Sequence, residues 1–311
     1  GNGGTTIKGD GFEISTGSAK YEKVKDMKYD YMGRTSDPDK DETQQLVEKL
    51  FGKDVTKGSE NDKLGRPATK WTYKDTKTKE ISVADKPDAV YAGKDFKKDV
   101  IEDLTDDGKK IVASYYNGTN ITDTTAREYY TKLYKTKGIS VELYDDDDKI
   151  TVVILEAYVA KIGEDGIKTN DKDKVTEVTV DVYEAGYVLS NGGNAKPLTI
   201  DVEDDEDAYE IVKKYDEDDV FVLYLKSGWD ASGADMDKVV LAADDVETVE
   251  GKVTAISEDG KYNGWVKIDG TKYDFANEYS QNTVGLKNEG TFYLYNGYVV
   301  HFDKEANKAA D

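Results

Sequence analysis

The chain has no cysteine, a single histidine, 4 prolines and 3 tryptophans. Without cysteine there is no disulfide framework, no thiolate zinc site and no cysteine nucleophile, and the redox compartment is left open. No apolar stretch approaches the ~20 residues of a membrane-spanning helix, and no basic segment followed by an apolar one opens the chain. The start, GNGGTTIKGDGF, is expected to be a cut inside a longer protein, with Gly1 a tag scar. Positive charge is also in short supply. The 43 Lys and Arg face 65 Asp and Glu, a formal net charge of −22, which repels nucleic acid and anionic membrane surfaces and sets both aside as partners.

What is present argues for a folded protein. At 37% hydrophobic and 35% charged, the 311-residue chain has the composition at which disorder becomes a concern. The 23 tyrosines and the alternating Val/Ile/Tyr runs argue the other way, because they suit strands that bury one face. The expected class is mainly β with a few short helices and thin cores.

Residues 1–146 read as an α+β region. One helix is expected after an Asp41 cap, with Leu46, Val47, Leu50 and Phe51 as its apolar stripe and Gly52 as its stop. A second carries Phe96, Val100, Ile101 and Leu104, and a third carries Tyr129, Tyr130, Leu133 and Tyr134 up to Gly138. From Ile150 onward the texture is strand: ITVVILEAYVAKI, VTEVTVDVY, KPLTIDV, an acidic helix DDEDAYEIVKKY, then DDVFVLYLKSG and DKVVLA. Three strands, a helix and two strands is the element order of an oligonucleotide/oligosaccharide-binding (OB) barrel. VETVEGKVTAIS, YNGWVKIDG, TKYDFAN, GTFYLYNG and YVVHFD repeat it in shorter form. Tandem OB-like β-barrels are therefore expected at 147–243 and 244–311.

Chemistry is sparse. His301 lies in an alternating strand, GYVVHFD, with no nucleophile elbow in the chain, and reads as a strand histidine. Carboxylates are too abundant for any one pair to signal a glycoside hydrolase. Asp37, Asp39, Asp41 and Glu48 occupy positions one, three, five and twelve of an EF-hand-like loop, so they are the calcium candidates. The sixth position is Glu42 where the sharp turn wants glycine, and the helix starts inside the loop; a solvated acidic N-cap region accounts for the same residues. TNDKDKVTE (Asn170, Asp171, Asp173, Glu177) and DVEDDEDAYE (Asp204, Asp205, Asp207) are weaker loops of the same kind. Neither GNGG nor SNGG has the setting of a phosphate cradle. Trp229, in SGWDASG, is the ligand-binding candidate, because aromatic faces stack on sugar rings beside carboxylates. The run Asp145–Asp148 lies between two strand-like segments and is expected to be the exposed tip of a β-hairpin that binds no metal.

Four phrases carry a family resemblance. LGRPATKWTY followed by KEISVADKPDAVY, then LYDDDDKITVVILEAYVAKI, GTFYLYNGYVVHFD and the opening GGTTIKGDGFEISTG, resemble the region that follows the S-layer homology repeats in large surface proteins of Clostridia and other Firmicutes. The resemblance spans most of the chain and implies no enzyme motif and no cofactor. It implies an extracellular, cell-wall-associated structural protein, held to cell-wall polymer by anchoring repeats that lie N-terminal to residue 1. The leading functional expectation is thus a non-catalytic structural or surface-display region of a secreted, S-layer-like cell-envelope protein. A carbohydrate- or host-ligand-binding module is the alternative, with a glycoside hydrolase third.

Overall fold

The computed structural model describes residues 6–9, 12–15, 29–31, 55–57, 61–74, 78–85, 88–92, 96, 98–123, 139–183, 195–230, 235–257, 264–275 and 284–304. The chain is mainly β with few helices, as the alternation of apolar and polar residues requires. It divides into two compact units, 1–127 with 141–153, and 128–140 with 154–311. No helix among the described residues is long and apolar enough to cross a membrane.

In the first unit, six strands form one sheet: β1 (Thr6–Gly9), β2 (Phe12–Ser15), β3 (Tyr29–Tyr31), β4 (Val55–Lys57), β5 (Ala68–Lys74) and β6 (Thr78–Asp85). They lie in the order β3-β1-β2-β6-β5-β4, with β1 and β3 parallel. A second set comprises β7 (Ala89–Ala92), helix α1 (Lys98–Asp106), β8 (Lys110–Tyr116), β9 (Thr119–Asn120), β10 (Ile139–Asp146) and the start of β11 (Lys149–Thr169). The helix expected around Val100 and Leu104 is α1. Those expected after Asp41 and around Tyr130 lie outside the described residues.

The division between units falls inside β11. Its later part opens the second unit, followed by β12 (Val175–Tyr183), β13 (Ala195–Asp201), α2 (Glu206–Val212), β14 (Val220–Leu225), α3 (Met236–Val239) and β15 (Val240–Asp245). These strands pair antiparallel in the order β13-β12-β11-β14-β15. Alternate residues of β12, Val178, Val180 and Val182, point inward against Leu198, Ile200, Phe221 and Leu223, as the two-residue period of a strand dictates. Helix α2 adds Ala208 and Val212 to this core. Tyr215 stacks on Phe221 with ring centroids 3.8 Å apart.

Then come β16 (Glu247–Ile256), β17 (Trp265–Ile268), β18 (Thr271–Phe275), β19 (Glu289–Tyr295) and β20 (Tyr298–Lys304). They close into a barrel in the order β16-β17-β18-β20-β19, with β18 and β20 parallel. Its separate core holds Val253, Val266, Ile268, Phe275, Phe292, Leu294, Val299 and Phe302, and Phe292 stacks on Phe302.

DKVVLA, expected to be all strand, begins as the short helix α3. Asp235 caps it by accepting the Asp237 N–H, so strand pairing starts only at Val240.

Candidate functional site

The two β modules of the second unit meet along a seam. Every residue of β14 is buried, which a strand shows only when both of its faces are covered. Phe221, Leu223 and Leu225 enter its own core. Val220, on the opposite face, packs with Val159 of β11 and Val300 of β20, and Tyr183, Val246, Tyr293, Tyr295 and Tyr298 pack around these three.

A bulge in β20 arms the seam from the other side. Phe292 pairs with Phe302 and Tyr293 with His301, but Leu294 pairs with Val299, so Val300 is the extra residue. The extra residue keeps both Val299 and Phe302 in the barrel core while Val300 and His301 reach the seam. His301 is 1% exposed. Its ring lies 5.2 Å from that of Tyr183 and 5.4 Å from that of Tyr293. Its Nε2 is 3.1 Å from Asp303 Oδ1, and the Tyr293 hydroxyl donates to Asp303 Oδ2 at 2.9 Å.

Electrostatics follow from this packing. The hydrogen bond from His301 holds the Asp303 carboxyl below the usual range, with burial opposing and Tyr293 and Lys161 assisting. Burial first, then the Asp303 charge, pushes the Tyr293 and Tyr183 phenols up. Tyr295 is raised by burial, by Tyr224 and by Asp244. At the far edge Tyr215 donates to Asp245 at 2.8 Å and Lys214 approaches the same oxygen at 3.0 Å. Those two bonds hold the Asp245 carboxyl down, while burial and the bond to Asp245 push the Tyr215 phenol up. Phenols held protonated are hydrogen-bond donors rather than nucleophiles, so the arrangement joins strands and positions rings.

The first unit holds a clasp that the sequence reading missed. Asp62 Oδ1 accepts the N–H groups of Leu64 and Arg66, both at 2.9 Å. Arg66 Nε donates to Glu142 at 2.9 Å, and the Tyr144 hydroxyl donates to the other Glu142 oxygen at 2.7 Å. Burial works against the Arg66 charge and Glu142 outweighs it, leaving the guanidinium more firmly protonated. Burial raises the Asp62 carboxyl against the two backbone bonds. Gly65, at φ +90°, lies so close to the Tyr115 ring that an added Cβ would sit 2.2 Å from it. The GRP phrase is therefore a packed turn, and its one sequence signal was a glycine two residues before a proline.

The residues singled out in the sequence fall as follows. Trp229 is half-buried against the core of its module, edge-on to Tyr158 at 6.0 Å. Among the other tryptophans, Trp265 of β17 has the Lys272 ammonium 5.3 Å from its ring centroid. Asp37, Asp39, Asp41 and Glu48 lie outside the described residues. Asn170 accepts the N–H groups of Lys172 and Lys174, and Glu177 binds Lys168 at 2.8 Å. Asp205 accepts from Asp201 and Met236 N–H groups. These side chains serve turns and caps. Among the described residues no group of three or more acidic or histidine side chains is placed to hold a metal ion. Asp146, Asp147 and Asp148 are exposed at the β10–β11 turn. Asp145, expected there with them, is buried instead and pairs with Lys109 at 2.5 Å.

Comparison with protein families, curated proteins and solved structures finds no match.

Proposed function

We propose that the chain is a non-catalytic structural or surface-display region of a secreted cell-envelope protein, in which tandem OB-like β-barrels form a mechanically continuous string. The observation that carries this reading is the seam. Two modules with separate cores are joined by apolar packing and by the hydrogen bonds that link Tyr224, Tyr295 and Asp244.

The OB-like assignment rests on matching pairings. In the closed barrel the first strand pairs with the second and fourth, the third with the second and, in parallel, with the fifth. The preceding module repeats these neighbours without the third-to-fifth pair, and α2, between its third and fourth strands, packs against both β13 and β15. Further support comes from the tryptophans. The Trp229 ring is packed edge-on against Tyr158 and the Trp265 ring lies beside the Lys272 ammonium, contacts that a structural role accounts for.

The resemblance to regions that follow S-layer homology repeats supplies the location: the outer face of the wall, anchored to wall polymer by repeats outside this chain. Protease treatment of intact cells tests it. The chain should be cleaved from the surface without lysis and should fractionate with the wall. Full protection in intact cells, with release only on lysis, overturns the reading.

A further inference from the structure

We propose that the outer face of β17 and β18 in the C-terminal barrel binds a glycan that carries a uronic acid, with Trp265, Lys267, Lys272 and Asp274 as its contact groups. Val266 and Ile268 of β17 enter the barrel core, and Tyr273 of β18 packs against it. The two-residue period of a strand therefore turns their neighbours outward. Trp265 stands opposite Asp274 and Lys267 opposite Lys272, so the four side chains form a two-by-two block on one face. Lys272 is exposed and the other three are half-buried.

Packing alone does not explain this choice of residues. Like charges directly opposite each other destabilise a sheet, and a chain with 65 acidic side chains to 43 basic ones has carboxylates to spare for two lysines. Among the described residues, neither ammonium forms an ion pair and the Asp274 carboxylate accepts no hydrogen bond. The contact within the block is that of the Lys272 ammonium, 5.3 Å from the Trp265 ring centroid. It engages one ammonium and the indole, and at a solvent-facing site it is weak enough to be exchanged for another. The Lys267 ammonium and the Asp274 carboxylate are left over.

A uronic acid answers each of these groups. Its ring stacks on the indole as the flexible Lys272 side chain swings off it. Its carboxylate bridges the two ammonium groups, whose side chains leave the sheet about 5 Å apart. A ring hydroxyl donates to Asp274, which as a carboxylate only accepts. An acidic peptide would satisfy the lysines but brings further carboxylates against Asp274. A phosphate monoester would carry nearly two negative charges, against one for a uronate, into a chain of net charge −22. Salt screens the remote carboxylates beyond about 8 Å, so the two lysines set the local field.

The test uses the whole chain and the indole N–H signals of its 3 tryptophans in nuclear magnetic resonance spectra at physiological salt. The probes are cellobiose and cellobiuronic acid, the same disaccharide with one ring oxidised to a uronic acid. Cellobiuronic acid should shift one indole signal, the one missing from Trp265→Phe, and cellobiose should do so about tenfold more weakly, the loss of one charge-assisted contact. Lys267→Gln and Lys272→Gln should each bring cellobiuronic acid down to the level of cellobiose, while the other two indole signals, unmoved, report that the fold is intact. The proposal is overturned if no indole signal moves at about 20 mM probe, well above the millimolar affinity of a shallow contact. It is also overturned if the signal that moves belongs to another tryptophan, if cellobiose binds as well as its acid, or if inorganic phosphate alone reproduces the shift. None of these outcomes touches the seam, so the structural reading stands or falls separately.

Discussion

Tyr224 and Tyr295 meet hydroxyl to hydroxyl across the seam, and Tyr295 donates onward to Asp244 at 3.1 Å. Since the Tyr295 proton goes to the carboxylate, Tyr224 is the donor in the first bond, and the three groups form one directed chain from β14 through β19 to β15. Such a chain is worth more than its separate links, because each bond polarises the next. Tyr295→Phe breaks both links and should destabilise the second unit by about 1–2 kcal/mol, and Tyr224→Phe, which breaks one, by about half that. The double variant should cost little more than Tyr295→Phe alone. Urea unfolding of the four proteins measures this; strictly additive losses would show that the hydroxyls do not act together.

Gly65 and Gly270 separate two reasons for a glycine. Both have positive φ, +90° and +86°, but a Cβ at Gly65 would meet the Tyr115 ring at 2.2 Å whereas one at Gly270 would meet nothing within 4 Å. Gly270→Ala should therefore cost only the left-handed backbone penalty, about 1 kcal/mol. Gly65→Ala adds overpacking against Tyr115 and should cost about 2–4 kcal/mol. The urea midpoints of the two variants decide it, and equal shifts would mean that the Tyr115 ring moves aside freely.

The sequence makes β12, β16 and β19 legible because each alternates over an open face. It does not show what depends on distant partners. Alternation alone puts Val300 and Phe302 of YVVHFD on one face, and the extra residue opposite Tyr293 and Leu294 undoes that assignment without any local signal. Asp145 looks like its three exposed neighbours until Lys109, far back in the chain, is brought to it. Glu142 is likewise an ordinary strand glutamate until Arg66 reaches it. The parallel pairing of β1 with β3 joins segments whose connection carries no strand pattern. Asn170 and Asp205 are rich in oxygen, as a cation site would be, but backbone N–H groups occupy them.

The β10–β11 turn supplies a stabilising change. Asp147 sits at φ +55° and its N–H donates to Asp88 at 2.8 Å. Glycine keeps that N–H and suits the left-handed backbone, so Asp147→Gly together with Asp146→Asn should stabilise by about 0.5–1 kcal/mol while removing like charges from the tip. Asp145→Asn, by contrast, uncouples Lys109 and should destabilise. Thermal unfolding compares them, and opposite signs for the two changes are the expected result. A loss of stability in the double variant would show that the tip carboxylates hold something in place.

Alkali should find a set of phenols that resist ionisation while the fold stands. Burial and carboxylate acceptors raise the phenols of Tyr144, Tyr215, Tyr293 and Tyr295 well beyond the ordinary tyrosine value. A raised folded value means that the native state binds the proton more tightly than the unfolded chain does. That stability is fully present below about pH 10 and is lost as the pH rises from there toward the folded values. These four phenols should therefore ionise only together with the loss of strand ellipticity, because a phenolate beside Asp303, Asp244 or Asp245 would set two negative charges at hydrogen-bond distance. Tyr295→Phe should shift that loss to lower pH, since the seam then opens with less resistance. A single ionisation phase near pH 10 with ellipticity intact would show that the seam phenols are in free exchange with solvent and do not hold the modules together.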